Sequence, residues 1–421
     1  MTTFATNVRK LLRGSLLAQA MGFAVLPVLS RLYAPSDFGV VQTALSMLTF
    51  LLIVSSLRLE VAVLTVPEPE LANLLGCAAW LSLSTSLLIW LLGASMVVTG
   101  NSWVAEHAVL VLLLPGIGLL AGWNQLMNYL ALRRYAFDVS SNAKVVQALG
   151  YASSGVGLGF ANPAPVSLLV ADALGRLMCA GFVVRRLGVA LSSILRPPSR
   201  EQLKSVMTRH RSLVTTGLGA ALINTAGSAF TTLMLLWLFS AAAAGQYAIV
   251  ERLVGIPIAM IVGASSQVLM SHLGRAIGAG QTGEAVKTFR RIILQHALLA
   301  ALPSLVLFFF APTLMPFVLG GEWQLSGRFL QALIPLYFLS FIVGPVNMTL
   351  TVVGKYGLQL RYDIFRLIGM AAMWFYIWYS GIAALVALWL YAAVSGLCLL
   401  AYLLISDSAL RGLGAESSLP A

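Results

Sequence analysis

The segment that best predicts the fold is Pro27–Glu60, PVLSRLYAPSDFGVVQTALSMLTFLLIVSSLRLE. Its apolar start runs into Arg31, a polar corner follows at Ala34–Gly39, and an uncharged run continues to Arg58. Proline and aspartate favour a turn at the corner, and glycine accepts the backbone conformations that a turn requires. An uncharged run of about 20 residues crosses the hydrocarbon core of a bilayer as a helix. The segment therefore predicts a transmembrane hairpin whose corner lies at one membrane face.

A weaker copy of this corner occurs in the second half of the chain, at Phe239–Tyr247 (FSAAAAGQY), again between two apolar runs. A further match joins Arg134-Tyr135 to Lys355-Tyr356, and each pair follows an apolar run. Because loops and apolar runs recur in the same order, the sequence predicts two similar halves. When each half has an even number of helices, an axis along the membrane normal relates them, as in transporters with parallel repeats.

The composition predicts a membrane protein. Of the 421 residues, 59% are hydrophobic and only 10% are charged, whereas soluble globular proteins carry about 25% charged residues. The cysteines show no CxxC spacing and the histidines are scattered, so the sequence predicts no disulfide framework, metal or cofactor. The net charge is +12. Most Lys and Arg residues lie in short loops, where they report membrane topology rather than nucleic-acid binding.

The predicted fold is an all-α polytopic membrane protein, with about 12 transmembrane helices as two pseudo-symmetric six-helix bundles around a central cavity. The predicted spans are 14–34, 38–57, 72–99, 105–131, 139–160, 165–187, 212–238, 243–270, 288–311, 328–353, 362–380 and 382–405. The predicted domains are an N-terminal bundle, a basic linker, a C-terminal bundle and a tail, at 1–190, 191–211, 212–405 and 406–421. If the spans alternate in direction, nearly all basic loop residues lie on one side, which places both termini and the linker in the cytoplasm.

Four short motifs occur in order along the chain: SRLYAPSDFG (30–39), RLEVAVLTVPEPE (58–70), GQYAIVERLVGIP (245–257) and GGEW (320–323). In order and spacing they resemble the O-antigen or lipid-linked oligosaccharide flippases of bacterial polysaccharide biosynthesis. These flippases belong to the multidrug/oligosaccharidyl-lipid/polysaccharide exporter superfamily. The resemblance implies that an undecaprenyl-pyrophosphate-linked glycan, such as an O-antigen unit of lipopolysaccharide, passes from the cytoplasmic to the periplasmic leaflet of the inner membrane. It implies no catalysis, and it suggests a polysaccharide polymerase or export machinery as protein partners.

Charged side chains within the spans are the candidate functional residues, because a charge at the bilayer centre costs about 2.5–3.5 kcal/mol on insertion scales. Arginine suits a pyrophosphate headgroup because its planar guanidinium makes bidentate contacts with phosphate. The candidates for binding the headgroup are Arg252, Arg31, Arg176 and Arg58.

Arg252 is the sharpest of these candidates. The neighbouring Glu251 points about 100° away on a helix and cannot fully neutralise it, and Pro257 breaks the helix further on. An interhelical ion pair is the alternative role for Arg252. Arg31, at the end of the first span, is either an interfacial anchor or a phosphate contact on the release side.

The acidic candidates for ion coupling are Glu60, Asp172, Glu251 and Asp363. Three of them have a structural alternative. The i,i+4 spacing of Asp172 and Arg176 allows an internal ion pair, and Glu60 can pair with Arg58 at the inner end of the second span. Asp363 begins its span near the interface, where a charge is less costly.

Uncharged amides form the third group of candidates, for the lining of a polar cavity. They are Gln19, Asn124, Asn128, Gln147, Asn224, Gln267 and Asn347. Amides in an apolar bundle suit a sugar, but they also join neighbouring helices by hydrogen bonds. The sequence leaves both roles open.

Two other function classes remain as alternatives to a flippase that works by alternating access. A cation-coupled drug or small-molecule antiporter of the same superfamily would use a membrane-buried acid, whereas the buried charge here is mostly basic. A membrane-embedded glycan polymerase or glycosyltransferase would need acidic, His or Arg groups in a sizeable external loop, and the predicted external loops are short. The sequence therefore favours a transporter whose surroundings are the lipid bilayer.

Overall fold

The computed structural model describes residues 2–99, 108–189, 194 and 196–416, and the side chains of all of these except 2–12, 220, 223, 224, 226–228 and 413–416. Throughout this part of the chain the regular structure is helical, without strands. The predicted all-α class is thereby confirmed.

The chain divides into two compact units, Met1–Leu233 and Met234–Ala421. The helices of unit 1 are α1 (Thr2–Leu32), α2 (Pro35–Ser56), α3 (Leu59–Ala62), α4 (Glu68–Val98), α5 (Ala108–Arg133), α6 (Phe137–Ala161), α7 (Pro165–Leu187) and α8 (Arg200–Arg209). The boundary falls within α9 (Leu218–Leu238). The helices of unit 2 are α10 (Ala241–Val250), α11 (Ile256–Gly278), α12 (Thr282–Leu319), α13 (Gln324–Val343), α14 (Thr349–Val352), α15 (Tyr356–Ser380) and α16 (Ala384–Glu416). The domain limits given by the sequence remain predictions.

Every predicted span coincides with helix in the described residues, but fewer than the predicted number qualify as membrane spans. Nine helical segments among these residues are long and apolar enough to cross a bilayer. The remaining predicted spans correspond to α6, α9 and α15. Helix α6 is rich in small and polar residues, and α15 carries Arg361, Asp363 and Arg366. The apolar helix found within α9 is the shorter stretch Ala229–Leu238, so the count of twelve is not confirmed.

Both predicted corners form helix starts with side-chain caps. At the first corner, the Ala34 backbone N–H donates to Asp37 Oδ2 at 3.0 Å, and Pro35 is the first residue of α2. At the second corner, Ser240 Oγ accepts from the Ala243 backbone N–H at 3.1 Å, which caps α10. Each cap satisfies a backbone donor that has no partner within its helix. The two corners therefore perform the same task with different side chains.

The second match between the halves is also a repeated turn, but in a shifted register. Tyr135 and Gly354 both have positive φ, at 55° and 76°. In each turn the following residue donates its backbone N–H to a carbonyl of the preceding helix at 2.9 Å: Ala136 to Ala131, and Lys355 to Leu350. Tyr135 is thus structurally equivalent to Gly354. The sequence match had paired Tyr135 with Tyr356 instead. Glycine adopts this conformation without steric cost, whereas tyrosine is strained there.

Close glycine contacts hold α6 against α1 and α7. A Cβ atom on Gly150 would lie 2.9 Å from the Gly175 Cα, and one on Gly159 would lie 2.9 Å from the Tyr33 ring. The Tyr33 hydroxyl, buried between the helices, donates to the Gly155 carbonyl at 2.8 Å. Small residues let helices approach closely in a membrane, where dispersion contacts rather than hydrophobic burial favour association. The glycines that make α6 less apolar thus also allow it to pack closely against α1 and α7.

The linker helix α8 is attached to unit 1 by both apolar and charged contacts. Its Val206 packs against the apolar core of that unit, and Arg209 forms an ion pair with Glu70 on α4. The next residue, His210, is partly buried. Burial is the main reason that the pKa of His210 lies below its ordinary value; the Arg209 charge lowers it further, while Glu70 opposes the shift. The neutral imidazole is therefore the form that this packing favours.

Gly175→Ala tests the packing of α7 on α6. A Cβ at this position would lie 2.7 Å from the Gln147 carbonyl oxygen and 3.0 Å from the Tyr151 nitrogen, both backbone atoms that do not yield easily. We expect a loss of stability of about 1–3 kcal/mol, as for other overpacked sites. Thermal unfolding of the detergent-solubilised protein measures it.

The control is Gly181→Ala on the same helix, where nothing lies within 4 Å of the added carbon. That variant should unfold at or slightly above the wild-type temperature, because alanine favours helix over glycine. Equal unfolding temperatures for the two variants would contradict the packing account.

Candidate functional site

The carboxylate of Glu251 is held inside unit 2 by two tyrosines. Tyr247 donates its hydroxyl to Glu251 Oε1 at 3.1 Å, and Tyr337 on α13 donates to the same oxygen at 3.0 Å. Both tyrosines are buried, at 5% and 7% exposure. The remaining oxygen, Oε2, lies over Gly255, where a Cβ would be only 2.2 Å away. The carboxylate therefore depends on two phenols and on the missing side chain of Gly255.

The backbone widens where this carboxylate lies. Residues Glu251–Gly255 form a π-helical turn between α10 and α11, and Pro257 follows in the first turn of α11. Proline has no N–H and collides with the carbonyl of the preceding turn, so the helix must widen or bend there. Such turns are frequent at functional sites. The predicted helix break is therefore wrong: the segment stays helical from Ala241 to Gly278 and widens in a single π-helical turn just before Pro257.

Arg252, on the same turn, is half-buried. Within the described residues, no carboxylate lies within ion-pair distance of it and no hydrogen bond of its guanidinium is found. Glu251, its neighbour in the chain, is directed at the tyrosines. The interhelical ion pair considered for Arg252 is therefore not observed in the part of the chain described.

Arg176 has the partner that its spacing predicts. Its Nε lies 2.6 Å from Asp172 Oδ2, and the two side chains are 19% and 13% exposed. The Asn124 amide of α5 donates to the Arg176 backbone carbonyl at 2.9 Å, while its own carbonyl oxygen is buried without a hydrogen-bond partner among the described residues. The predicted i,i+4 ion pair is thus formed, and one of the amide candidates lies beside it.

Glu60 is the most deeply buried acid of the candidate set, at 2% exposure. Its Oε1 accepts from the Gln125 amide at 3.1 Å and lies 3.9 Å from an Arg58 nitrogen. In the described structure, Glu60 Oε2 and Arg58 Nε are buried without hydrogen-bond partners. Leu57 and Arg58 both have positive φ, at 49° and 64°, which ends α2 in a strained turn. The local Arg58–Glu60 pair is present, but it is long and incompletely satisfied.

The remaining headgroup candidate, Arg31, lies on an exposed part of α1 and donates to the Pro27 carbonyl of its own helix at 2.8 Å. The first position of α2 follows shortly after it, at Pro35. Arg31 is therefore placed near the corner of the hairpin, as predicted.

The amide candidates differ in their burial. Gln19 and Gln147 are half-buried, Gln267 is exposed, and the side chain of Asn224 lies outside the described residues. Asn128 accepts a hydrogen bond from Ser140 across α5 and α6. Among the described amides, Asn124 and Asn128 therefore join helices.

In unit 2, Asp363 lies at one end of a chain of polar contacts. The Gln359 amide donates to Asp363 Oδ2 at 3.0 Å, and the Tyr402 hydroxyl donates to Gln359 Oε1 at 3.2 Å. The same hydroxyl also contacts the Asn347 carbonyl, and Ser266 reaches the Asn347 side chain at 3.4 Å. These contacts connect α11, α15 and α16, so Asp363 and Asn347 serve helix packing in this unit.

Sequence reasoning missed Tyr247, Tyr337 and His296. His296 contacts the Ile292 carbonyl at 2.9 Å and Ser265 Oγ at 3.0 Å, which fixes both ring nitrogens. Tyr247 precedes Glu251 by one helical turn, a spacing that was readable. Tyr337 and Ser265 come from other helices, so the sequence carried no signal for those contacts. Among the described residues, no three His, Cys, Asp or Glu side chains are grouped to hold a metal ion.

A comparison with family profiles decides what kind of protein this is. The profile described as "Polysaccharide biosynthesis protein" matches residues 28–327. The chain belongs to this family. No curated protein matches the sequence.

Solved structures show which known folds this polysaccharide biosynthesis protein resembles. The lipid II flippase MurJ in an inward closed conformation is similar, with a TM-score of 0.68, 10% identity, and coverage of 97% of this chain and 90% of that one. An inward-facing multidrug resistance MATE transporter of the MOP superfamily has a TM-score of 0.66, 14% identity, and coverage of 96% and 95%. A MOP superfamily transporter from Pyrococcus furiosus has a TM-score of 0.54, 14% identity, and coverage of 97% and 93%. The predicted family is confirmed, and so is the predicted all-helical fold, which this chain shares with these multi-pass membrane proteins.

Asp172→Asn tests whether the Asp172–Arg176 pair stabilises the family fold in this chain. The change leaves a largely buried guanidinium without its carboxylate, which costs on the order of 3 kcal/mol at buried sites. The double variant Asp172→Asn/Arg176→Gln removes both charges and should recover most of the unfolding temperature.

The control is Glu70→Gln, which breaks the exposed Arg209–Glu70 pair, 52% and 42% exposed. Exposed pairs contribute about 0–1 kcal/mol, so this variant should unfold near the wild-type temperature. If Asp172→Asn unfolds no earlier than Glu70→Gln, the pair is not a structural element.

Proposed function

We propose that this protein carries a polyprenyl-pyrophosphate-linked oligosaccharide, an O-antigen or other surface polysaccharide unit, from the cytoplasmic to the periplasmic leaflet by alternating access. The family match over residues 28–327 supports a role in polysaccharide biosynthesis, and the shared fold with a flippase supports a lipid-linked substrate. The observation that carries the proposal is Arg252, an arginine within a membrane span and without a carboxylate partner among the described residues. Such a cation is costly unless an anion uses it.

The chemistry of the substrate matches this arrangement. A pyrophosphate presents several anionic oxygens, and guanidinium binds them with paired N–H donors. The polyprenyl tail remains in the lipid, so only the headgroup and sugar need a polar path. A membrane potential that is negative inside favours outward movement of an anion by about 2.3 kcal/mol per charge per 100 mV.

The four arginines proposed for the headgroup can be ranked by whether a carboxylate already offsets their charge. Arg176 is paired with Asp172, and Arg58 lies 3.9 Å from Glu60, so each has a carboxylate that offsets its charge. Arg252 has none in the described part of the chain, so we assign it the main headgroup contact. Arg31, at the hairpin corner, is assigned a contact on the release side.

The proposal includes a topology, with both termini and the 191–211 linker in the cytoplasm of a bacterial cell and the protein in its inner membrane. The basic loop residues support it through the positive-inside rule. A polymerase or export complex that receives the glycan is the proposed protein partner.

A cation-coupled antiporter is the second candidate function, and one observation favours it. Glu60 is a buried acid with an unsatisfied oxygen, which is the kind of group that binds a proton or a cation. In that case a substitution of Glu60 would abolish the export of small molecules, and a substitution of Arg252 would leave it unchanged.

The deciding experiment measures the cytoplasm-facing lipid-linked glycan in cells that lack the protein and carry a variant in its place. Arg252→Gln should reduce transport at least about tenfold, because a charged hydrogen bond contributes about 1.5–3 kcal/mol. Arg252→Lys keeps the charge but loses the bidentate geometry, so an intermediate loss is expected.

The matched control is Arg275→Gln, at the other end of the same helical segment. Arg275 is exposed and donates to the Ser271 carbonyl of its own helix. Its loss should leave transport near the wild-type rate. Undiminished transport by Arg252→Gln would overturn the headgroup assignment, and absence of glycan accumulation in the deletion strain would overturn the flippase proposal.

A further inference from the structure

We infer that binding of the anionic headgroup at Arg252 is linked to protonation of Glu251, so that the headgroup binds more tightly when this carboxyl is neutral. The inference rests on the proposed function, since it concerns the same headgroup contact. It assigns roles to Tyr247 and Tyr337 as residues that position the carboxyl.

The first step is the separation of two opposite charges that are neighbours in the chain. Arg252 is half-buried and unpaired within the described residues, while both tyrosine hydroxyls reach Glu251 Oε1, at 3.1 and 3.0 Å. The carboxylate is thereby directed away from direct pairing with Arg252. It remains close enough along the backbone for its charge to act on Arg252 through an apolar span, where Coulomb interactions are stronger than in water.

The second step is the geometry of the neutral form. Because both phenols donate to Oε1, a proton can reside on Oε2 without displacing either hydrogen bond. Oε2 lies over Gly255, where no side chain occupies the space. The carboxyl can therefore change its charge while keeping its position.

The third step is thermodynamic linkage. Ionised Glu251 offsets part of the attraction between Arg252 and a phosphate, and neutral Glu251 does not. Since coupling between two binding events is reciprocal, an anion at Arg252 must favour the proton on Glu251 to the same degree. Coupling energies of about 1–3 kcal/mol correspond to a change in affinity of about 5- to 150-fold.

Of the ionisable groups in this cluster, Glu251 is the one whose charge can change between acidic and neutral pH. Among the described residues, the titratable groups next to Glu251 are Tyr247 on its own helical segment, Tyr337 on α13 and its chain neighbour Arg252. Tyr391 on α16 lies near both tyrosines. Phenols stay neutral and guanidinium stays charged from acidic to neutral pH. A pH dependence that originates in this cluster therefore belongs to Glu251.

The test measures binding of undecaprenyl pyrophosphate to the full-length protein in nanodiscs of neutral lipid, across acidic to mildly basic pH. Headgroup titration contributes equally to every variant, so the comparison between variants isolates the protein. Wild-type affinity should rise about tenfold more on acidification than that of Glu251→Gln, which should bind tightly throughout. The matched control Glu322→Gln neutralises an exposed acid of the same unit and should follow the wild type.

The tyrosines supply a second set of variants. Tyr247→Phe and Tyr337→Phe each remove one hydrogen bond to the ionised carboxylate, which favours the neutral form. Their binding curves should therefore shift to higher pH while reaching the same maximum affinity. If the two tyrosines were only structural, their Phe variants would bind the headgroup more weakly at every pH, and the binding curve would not shift along the pH axis.

The outcomes separate the two proposals. Parallel pH profiles for wild type and Glu251→Gln, with binding still lost in Arg252→Gln, would overturn the linkage and leave the headgroup contact standing. Wild-type binding by Arg252→Gln would overturn the headgroup contact itself. If Glu251→Gln does not fold, an unshifted profile for both tyrosine variants counts against the linkage.

Discussion

Hydrocarbon offers no hydrogen bonds, so polar groups within the membrane-spanning helices and at their ends need partners from the protein itself. The Arg133 guanidinium donates to the Val63 and Val66 carbonyls at 2.7 and 2.6 Å, and so satisfies a turn between α3 and α4. In unit 2, the buried Gln246 donates to the Glu322 carbonyl and accepts from the Ser326 backbone, both at 2.8 Å. Backbone groups that helices leave unpaired thus obtain partners from a few long side chains. A polar group that lacks such a partner calls for an explanation.

The same constraint shapes how the helices pack. Without a hydrophobic drive between helices in lipid, close contact depends on small residues and matched surfaces. Gly150 and Gly175 allow α6 and α7 to meet at their backbones. On the side of α6 that faces α1, Gly159 lies against the Tyr33 ring, and the Tyr33 hydroxyl donates to the Gly155 carbonyl. The glycines that permit this contact also lower the apolar character of α6. Together with polar residues such as Lys144 and Gln147, they make α6 less apolar than the nine helical segments that qualify as membrane spans among the described residues.

Local sequence features predicted the parts of the structure that depend on local contacts. The corner at Pro35 and the i,i+4 pair of Asp172 and Arg176 could both be read from spacing and turn chemistry. Contacts between distant helices could not. Tyr337 joins Glu251 across 86 positions of the chain, and no pattern within either helix signals the other. The turn at Tyr135 was read in the wrong register because a tyrosine there adopts a backbone conformation that its counterpart, Gly354, adopts more easily.

The contrast between Arg176 and Arg252 supports the proposed headgroup contact at Arg252. Arg176 is compensated by a carboxylate one helical turn away, the arrangement expected when a buried cation only stabilises a bundle. Arg252 has an acidic neighbour in the chain, yet two phenols from different helices take that carboxylate. A protein that needed only neutrality at this point would pair the two charges directly. Keeping them apart requires Tyr247, Tyr337 and an open position at Gly255, and it leaves Arg252 without a carboxylate partner among the described residues.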